Sequence, residues 1–307
     1  MSRWPSLKQL HYLVALAEHK NFNRAAKSCF VSQSTLSTGI QTLEELLSLQ
    51  LIERDNKSFI MTVAGQEVVD RAKLILAQTR DLMELASAQA GGRNGCLRLG
   101  CIPTIAPFLL SALVNRCSER FPHLELLLRE DTSANLIKQL EAGELDLLVL
   151  ALPYEIGLLH SRVISQDPFK LVLHRNLAAR MSSPIDYRQL PAHSIFLLEQ
   201  EHCLTGHALA ACHMADKSKI NPFSATTLYT LVQMVVARCG ATFLPQMAID
   251  AGILTQTDLR AIQPYGEHSL RDIGMVWRPS STRVETFYLI GDLVAECLGH
   301  GNKKLPA

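Results

Sequence analysis

The chain has 307 residues, of which 48% are hydrophobic and 19% charged, and its formal net charge is +1. That length suffices for two or three domains, and the composition is typical of a soluble globular protein. The start, MSRWPSLKQL, lacks the apolar core of a signal peptide, and the longest apolar run, residues 145–152, is too short to span a bilayer. Eight scattered cysteines do not form a disulfide scaffold. We therefore expect a cytoplasmic protein without membrane association, in which any disulfide is transient or redox-sensing.

Residues 1–65 show three helical segments followed by a short hairpin. Ser6 and Gln9 are spaced as a capping box before the first helix, and a second helix follows in FNRAAKSCF. Ser32 is the predicted N-cap of a third helix, whose apolar stripe is Leu36, Ile40, Leu43 and Leu47. The next segment, IERDNKSFIMTVAG, alternates like the wing of a winged helix-turn-helix domain.

The exposed start of the third helix carries short, uncharged, hydrogen-bonding side chains. Such side chains suit the reading of base edges in a major groove. A plain three-helix bundle with a solvated face would show the same pattern, so the pattern alone leaves both readings open. The candidate DNA contacts are Ser32, Gln33, Ser34, Ser37, Thr38 and Gln41 on the helix, with Arg54 and Lys57 on the hairpin.

Residues 66–90 form a long predicted helix with a heptad repeat, which we call the heptad stripe: Val68, Ala72, Ile75, Thr79, Leu82 and Ala86. One helix cannot bury such a stripe by itself, so the stripe predicts a dimer. Packing of the helix on its own domain is the alternative. The predicted hinge GGRNG follows at residues 91–95.

Residues 96–307 alternate between strands and helices. Two βα units joined by crossing strands predict a clam-shell with a crevice between two lobes. We place lobe I at about 96–165 and 269–307, and lobe II at about 166–268. The predicted fold class is therefore a multidomain α+β chain: a winged helix-turn-helix, a long dimerisation helix and a two-lobed α/β effector domain.

Polar residues follow the predicted strands at the crevice. Thr104 follows the first strand, Thr132 and Ser133 the second, and His202 and Cys203 a third. In open α/β units, ligands bind at the carboxyl ends of strands, near helix N-termini. A thiol in that position beside a histidine is suited to act as a nucleophile.

Two other site chemistries remain open from the residues alone. A cysteine-nucleophile enzyme would use His202 and Cys203, although no third orienting residue is evident. A metal site would draw on a cluster of five ligand-type residues, but its spacing lacks the close pairs of compact zinc sites, so we expect no metal. The cluster is His202, Cys203, His207, Cys212 and His213.

The whole chain resembles the LysR-type transcriptional regulators. The segment FNRAAKSCFVSQSTLSTGIQTLEELL, followed by LIER and TVAG, carries the resemblance. It implies a periplasmic-binding-protein-like effector domain, promoter DNA as partner, a homotetramer dimerised through residues 66–90, RNA polymerase as a candidate partner, no cofactor and no enzymatic activity. Ser34 replaces a proline common in the motif, and Thr38 and Gly39 replace larger residues.

Within the family, LLEQEHCLTGHALAAC and GCIPTIAPFLL resemble the peroxide-sensing members. This resemblance implies that Cys203 reacts with hydrogen peroxide and that Cys212 then joins it in a disulfide. It also implies that Thr104, Ser133, His202 and Arg271 bind the peroxide, with Arg271 stabilising the departing hydroxide. A small organic effector in the crevice is the alternative.

The two cysteines are nine positions apart (212 − 203) in a helix-compatible segment. Nine helical residues rise about 13 Å, whereas the Cα atoms of a disulfide lie within roughly 7 Å of each other. A disulfide therefore requires the segment to unravel, which Gly206 would ease.

Overall fold

A computed structural model describes residues 4–55, 58–89, 95–179, 187–199, 201, 203–211, 216–238, 240–264 and 269–299. None of the helices in these ranges combines the length and apolarity needed to cross a membrane. The chain divides into two compact units, one of residues 1–92 with 139–144 and the other of residues 93–138 with 145–307.

The first unit is a winged helix-turn-helix followed by a long helix. Its elements are α1 (Leu7–His19), α2 (Phe22–Ser28), α3 (Gln33–Leu47), β1 (Ile52–Asp55), β2 (Ser58–Met61) and α4 (Val63–Gln89). Both bonds of the predicted capping box form, because the Ser6 and Gln9 side chains each accept the other residue's backbone N–H. Ser32 caps α3 as predicted, and β1 pairs antiparallel with β2 as the predicted wing.

Leucines of α1 and α3 build the core of this unit, with α2 alanines between them. Leu13, Leu36 and Leu43 are fully buried there. Gly65 allows a close approach, because a Cβ at this position would lie 2.1 Å from the Leu51 carbonyl oxygen. The close contact accounts for glycine at this position better than any backbone requirement does.

The long helix α4 begins at Val63, three residues before the predicted start at residue 66, and the heptad stripe divides into two parts along it. Ala72 is buried in the core of the first unit, and Val68 packs against the same core. Farther along, Leu82 leaves 63% of its surface exposed and Ile75 is also exposed. The alternative of packing on its own domain thus applies to the start of α4, while Ile75 and Leu82 remain exposed and available to a second chain.

The second unit alternates strands and helices. Lobe I contains β3 (Gly95–Cys101), α5 (Ala106–Arg120), β4 (Leu124–Glu130), α6 (Ser133–Glu141), β5 (Leu147–Leu152), β11 (Leu270–Trp277) and α11 (Val284–Cys297). Lobe II contains α7 (Arg175–Ala178), β7 (Ile195–Leu198), α8 (Cys203–Ala211), β8 (Ile220–Ala225), α9 (Leu228–Arg238), β9 (Ala241–Pro245), α10 (Gln246–Asp250) and β10 (Leu259–Ile262). The strand β6 (His160–His174) runs through both lobes. The sequence pattern did not predict α7, β8, β9, β10 or α10.

One sheet path links the two lobes in the strand order β4-β3-β5-β11-β6-β9-β7-β8, with β10 paired to β6. The first half of β6 pairs with β11, and its second half pairs with β9 and β10. Strands β3, β4 and β5 are parallel, as are β7, β8 and β9. The carboxyl ends of two parallel groups therefore carry the loops that bear the predicted crevice residues.

Candidate functional site

The start of α3 presents the polar face that the sequence predicts. Gln33, Ser34, Thr38 and Gln41 are exposed, and Ser37 is half-buried. The Ser32 hydroxyl accepts the Thr35 backbone N–H at 3.1 Å and lies 2.9 Å from the Ser34 hydroxyl. Ser32 therefore serves as a helix cap, while the residues after it are free to contact a groove.

Gly39 on α3 has a packing explanation. A Cβ there would lie 2.7 Å from Cδ2 of Tyr12, whose ring comes from α1. Such a contact is too short for real carbon atoms. The small residue that departs from the family pattern thus makes room for an aromatic ring, at a helix-propensity cost of about 1 kcal/mol relative to alanine.

A carboxylate on α3 fixes the start of the wing. Oε1 of Glu44 accepts the backbone N–H groups of Leu51 at 2.8 Å and Ile52 at 3.2 Å. Of the two predicted wing contacts, Arg54 belongs to β1, and Lys57 lies outside the described residues. Their side-chain roles remain predictions.

The predicted crevice residues that the structure describes line one pocket of lobes I and II. Thr104 follows β3, Ser133 begins α6 after β4, and Cys203 begins α8 after β7. These residues share the pocket with Ile102, Pro103, Thr132 and Glu201. Thr104 and Ser133 are buried, whereas Cys203 is half-buried. Glu201 was not among the predicted site residues, because its position in the turn before α8 gives no periodic signal.

The Ser133 hydroxyl is buried without a hydrogen-bond partner among the described residues. Buried hydroxyl groups are nearly always paired, because an unpaired one loses its bonds to water without replacement. A polar molecule in the pocket would supply the missing partner. The pocket has no space for a water-sized molecule in this conformation, so Ser133 is a candidate contact for a small ligand and the pocket is not a preformed cavity.

A buried arginine contacts the pocket residue Thr104 but does not itself line the pocket. Arg271 on β11 is 1% exposed and forms a two-point ion pair with Asp167 Oδ2, through Nε at 3.0 Å and Nη2 at 2.9 Å. Nη1 donates to the Thr104 hydroxyl at 2.9 Å, and Nη2 donates to the Thr104 carbonyl at 3.1 Å. Asp167 Oδ1 accepts the Met247 backbone N–H at 3.1 Å. The guanidinium thus bonds both Asp167 and Thr104, and its contact with Thr104 is a role that the sequence did not suggest.

Helix α8 separates the two predicted redox cysteines. Cys203 is its first residue and Ala211 its last, so the described part of the stretch predicted to be helical is helical. The Thr205 hydroxyl donates to the Leu198 carbonyl at 2.8 Å, which ties the helix to β7. Cys212 and His202 lie outside the described residues, so their predicted roles are carried forward as predictions.

Tyr154 was not predicted as a residue of this site, and His207 was named only as a candidate metal ligand. Nε2 of His207 lies 2.8 Å from the carbonyl oxygen of Pro153, which follows β5. Burial, with a further contribution from the charge of Arg271, lowers the pKa of His207. Burial raises the pKa of Tyr154, and the charge of Cys203 adds to the rise. Contacts between residues some fifty positions apart leave no pattern in a sequence.

Other thiols in the described chain are poorly placed for nucleophilic chemistry. Burial raises the pKa of Cys101, which is fully buried, and of Cys117. Burial is also the main reason for the raised pKa of Cys29, Cys96 and Cys297. A raised pKa keeps a thiol protonated and lowers its reactivity.

The metal alternative gains no support from the described ranges, where groups of three or more candidate ligand residues are absent. Three of the five residues that the alternative requires, His202, Cys212 and His213, lie outside those ranges.

A second, more apolar cavity adjoins the Cys203 pocket. Its volume is about 240 Å³, and it shares Pro103 and Thr104 with that pocket. Most of the remaining lining is apolar or aromatic: Pro107, Phe108, Leu198, Leu228, Tyr229 and Ile253, with Glu130, Thr226 and Thr227. Such a lining suits an organic molecule better than it suits peroxide.

Family models match both parts of the chain. Residues 7–66 match the bacterial regulatory helix-turn-helix protein of the lysR family, and residues 90–296 match the LysR substrate binding domain. The chain belongs to the LysR family. It is thus a LysR-type transcription regulator, and its helix-turn-helix implies DNA binding.

Several known LysR-type proteins are similar over most of this chain. The HTH-type transcriptional regulator EstR of Acinetobacter baylyi is 37% identical over 302 residues, covering 96% of this chain and 97% of EstR. The DNA-binding transcriptional dual regulator OxyR of Escherichia coli K12 is 35% identical over 306 residues, covering 98% of both chains. The reduced regulatory domain of OxyR2 from Vibrio vulnificus is 58% identical with a TM-score of 0.65, covering 66% of this chain and 96% of that domain.

Proposed function

We propose that this LysR-type regulator senses hydrogen peroxide through oxidation of Cys203 and a subsequent disulfide with Cys212, and so controls antioxidant genes from promoter DNA. The observation that carries the proposal is the pocket lined by half-buried Cys203, Thr104 and Ser133, whose hydroxyl has no hydrogen-bond partner in the described part of the chain. The likeness to OxyR and to the OxyR2 regulatory domain supports the same reading.

The chemistry requires two balanced steps. The Cys203 thiolate sulfur attacks one peroxide oxygen, the O–O bond breaks, and the departing hydroxide takes up a proton to leave as water. The thiolate sulfur of Cys212 then attacks the sulfenic sulfur, and the hydroxyl group of the sulfenic acid leaves as water with the proton that Cys212 has lost.

The pocket side chains have distinct proposed roles in the first step. Thr104 and Ser133 position the peroxide by hydrogen bonds. Because the Thr104 oxygen accepts from Arg271, its hydroxyl hydrogen points elsewhere and can be donated to a ligand. Arg271 thereby acts through Thr104, and His202 is proposed to orient the peroxide.

Coupling to DNA would run through the first unit. We assign base and backbone contacts to the face of α3 and to the wing, and homo-oligomer formation to the exposed part of the heptad stripe on α4. RNA polymerase is the proposed partner at the promoter. A disulfide that unravels α8 would then change the arrangement of the oligomer on DNA.

Peptide mapping tests the two-cysteine mechanism. The full chain is treated briefly with dilute peroxide, alkylated and digested without reductant. A linked Cys203–Cys212 peptide is the expected product. The matched control is Cys297→Ser, which removes a half-buried thiol elsewhere and leaves the linkage intact. A persistent Cys203 sulfenic or sulfinic acid with free Cys212 would contradict the disulfide step and leave one-cysteine sensing standing.

The apolar cavity favours a second candidate function, regulation by a small organic effector. Under that reading, a Cys203→Ser variant would still activate its promoter, whereas a Phe108→Trp variant that fills the cavity would not. Promoter transcription with purified protein separates the two functions. Peroxide sensing predicts that Cys203→Ser fails to activate the promoter and that Phe108→Trp still activates it.

A further inference from the structure

His207 carries a buried nitrogen that nothing in the described chain satisfies. Its Nε2 lies 2.8 Å from the Pro153 carbonyl oxygen. A carbonyl can only accept a hydrogen bond, so Nε2 bears the hydrogen and Nδ1 of the neutral ring bears a lone pair. Nδ1 is buried and without a hydrogen-bond partner among the described residues. An orphaned acceptor of this kind requires an explanation.

The orphaned nitrogen belongs to a residue placed one helical turn after Cys203. Positions i and i+4 of a helix lie on the same face, and long side chains lean toward the helix N-terminus. Helix geometry therefore predicts that the His207 ring approaches Cys203, the first residue of α8. Tyr154, the neighbour of Pro153 in sequence, is also close enough for the Cys203 charge to raise its pKa.

A reduced thiol and its oxidised product offer different groups to such an acceptor. A thiol is a weak donor, and Cys203 forms no hydrogen bond with His207 Nδ1 in the reduced chain. After attack on peroxide, the sulfur carries an O–H group that reaches one bond farther and donates strongly. The orphaned acceptor would then have a partner in the oxidised state alone.

We propose that His207 Nδ1 accepts the hydrogen bond of the Cys203 sulfenic acid and holds this intermediate in place for the resolving cysteine. The inference rests on the proposed function, since it requires Cys203 to be the thiol that peroxide oxidises. It makes His207 a positioning residue for the second step, distinct from the groups that bind peroxide.

The inferred bond protects the intermediate against further oxidation. Conversion to the sulfinic acid requires a second peroxide, which the deprotonated sulfenate attacks most readily. A hydrogen bond to a neutral imidazole keeps the sulfenic proton on oxygen, provided that the ring itself does not take the proton. Burial and the nearby charge of Arg271 lower the pKa of His207, which disfavours protonation of the ring.

Over-oxidation in a resolving-deficient background tests the inference. The full chain with Cys212→Ser is titrated with peroxide, and the sulfenic and sulfinic forms of Cys203 are quantified by trapping and intact-mass measurement. Adding His207→Leu should lower the peroxide concentration needed for half-conversion to sulfinic acid by about fivefold, which is the usual net effect of one hydrogen bond. Adding His207→Gln should restore the reference value, because an amide supplies both a donor for Pro153 and an acceptor.

The outcomes separate this inference from the function on which it rests. Equal or slower sulfinic acid formation in His207→Leu would overturn the role of His207, while Cys203 oxidation in the reference would leave peroxide sensing intact. Absence of Cys203 oxidation in the reference would overturn both. If His207→Leu does not fold, His207→Lys provides the same test, because it keeps a donor but has no acceptor.

Discussion

Arg271 and Thr104 are joined by two hydrogen bonds within lobe I, from Nη1 to the hydroxyl at 2.9 Å and from Nη2 to the carbonyl at 3.1 Å. The same guanidinium pairs with Asp167, a residue of the strand that runs through both lobes. The buried Arg271 side chain thus links Thr104, which lines the pocket, to β6, the strand that runs through both lobes.

Loss of Arg271 should destabilise the folded chain, because its guanidinium bonds both Asp167 and Thr104. Arg271→Met leaves Asp167 buried without its ion-pair partner, and we expect the free energy of unfolding to fall by about 3–5 kcal/mol. Urea denaturation of the full chain measures the change. Combining Arg271→Met with Asp167→Asn should restore most of the stability, because no buried charge is left unpaired. In both variants we expect slower oxidation of Cys203 than in the parent chain, because Thr104 has lost its hydrogen bonds from Arg271. A loss below about 1 kcal/mol in the single variant would contradict the ion pair's role.

Gly206 should set how readily α8 unravels. Among the described residues, no atom lies within 4 Å of a Cβ added at Gly206, so alanine fits without strain. Gly206→Ala should stabilise the helix by about 1 kcal/mol and slow Cys203–Cys212 disulfide formation about fivefold, with sulfenic acid formation unchanged. Rapid-quench mass spectrometry resolves the two steps. The reverse substitution at the exposed Ala210, Ala210→Gly, should accelerate the disulfide step, and equal rates in both variants would refute the unravelling model.

The contact of Gly39 with Tyr12 predicts an effect opposite to helix propensity. Gly39→Ala should lower the free energy of unfolding of the first unit, because the added methyl group meets the Tyr12 ring. In a Tyr12→Ala background, the same substitution should raise it by up to about 1 kcal/mol. Chemical denaturation of the four proteins gives the coupling directly. If Gly39→Ala changes the free energy of unfolding in the same direction in both backgrounds, contact with the Tyr12 ring is not the reason for glycine at this position.

His207 should make the second unit less stable in mild acid. Its pKa is lowered in the folded chain, chiefly by burial, so below the ordinary value of about 6.5 the unfolded chain binds the proton first. The stability contribution is complete above that pH and is lost as the pH falls toward the folded value. The charge of Arg271 strengthens this effect and that of Asp272 opposes it.

Thermal unfolding between pH 7.5 and about 5.5 measures this dependence. As the pH is lowered, the melting temperature of the second unit should fall in the parent chain. It should fall less in His207→Gln, because glutamine cannot take up a proton in this range. Identical slopes for the two proteins would mean that other groups govern the pH dependence.

Local sequence signals determined the secondary structure around both sites. The Ser6–Gln9 capping box, the Ser32 cap and the apolar stripe of α3 are short-range patterns, and the structure confirms each of them. The apolar run that forms β5 is likewise readable, because a strand buried on both faces needs no alternation. The helix-turn-helix and the alternating effector domain follow from such signals and from the family motif.

Only tertiary structure decided how the site is held together. The Arg271–Asp167 pair joins residues 104 positions apart, and the His207–Pro153 bond joins residues 54 positions apart. Strands β8, β9 and β10 escaped assignment because short segments acquire their conformation from pairing in the sheet. The sequence by itself determined where hydroxyls and a thiol follow strand ends. Packing decided which buried groups have hydrogen-bond partners, because only the folded chain brings the partner atoms within reach. Among the described residues, the Ser133 hydroxyl and His207 Nδ1 have none.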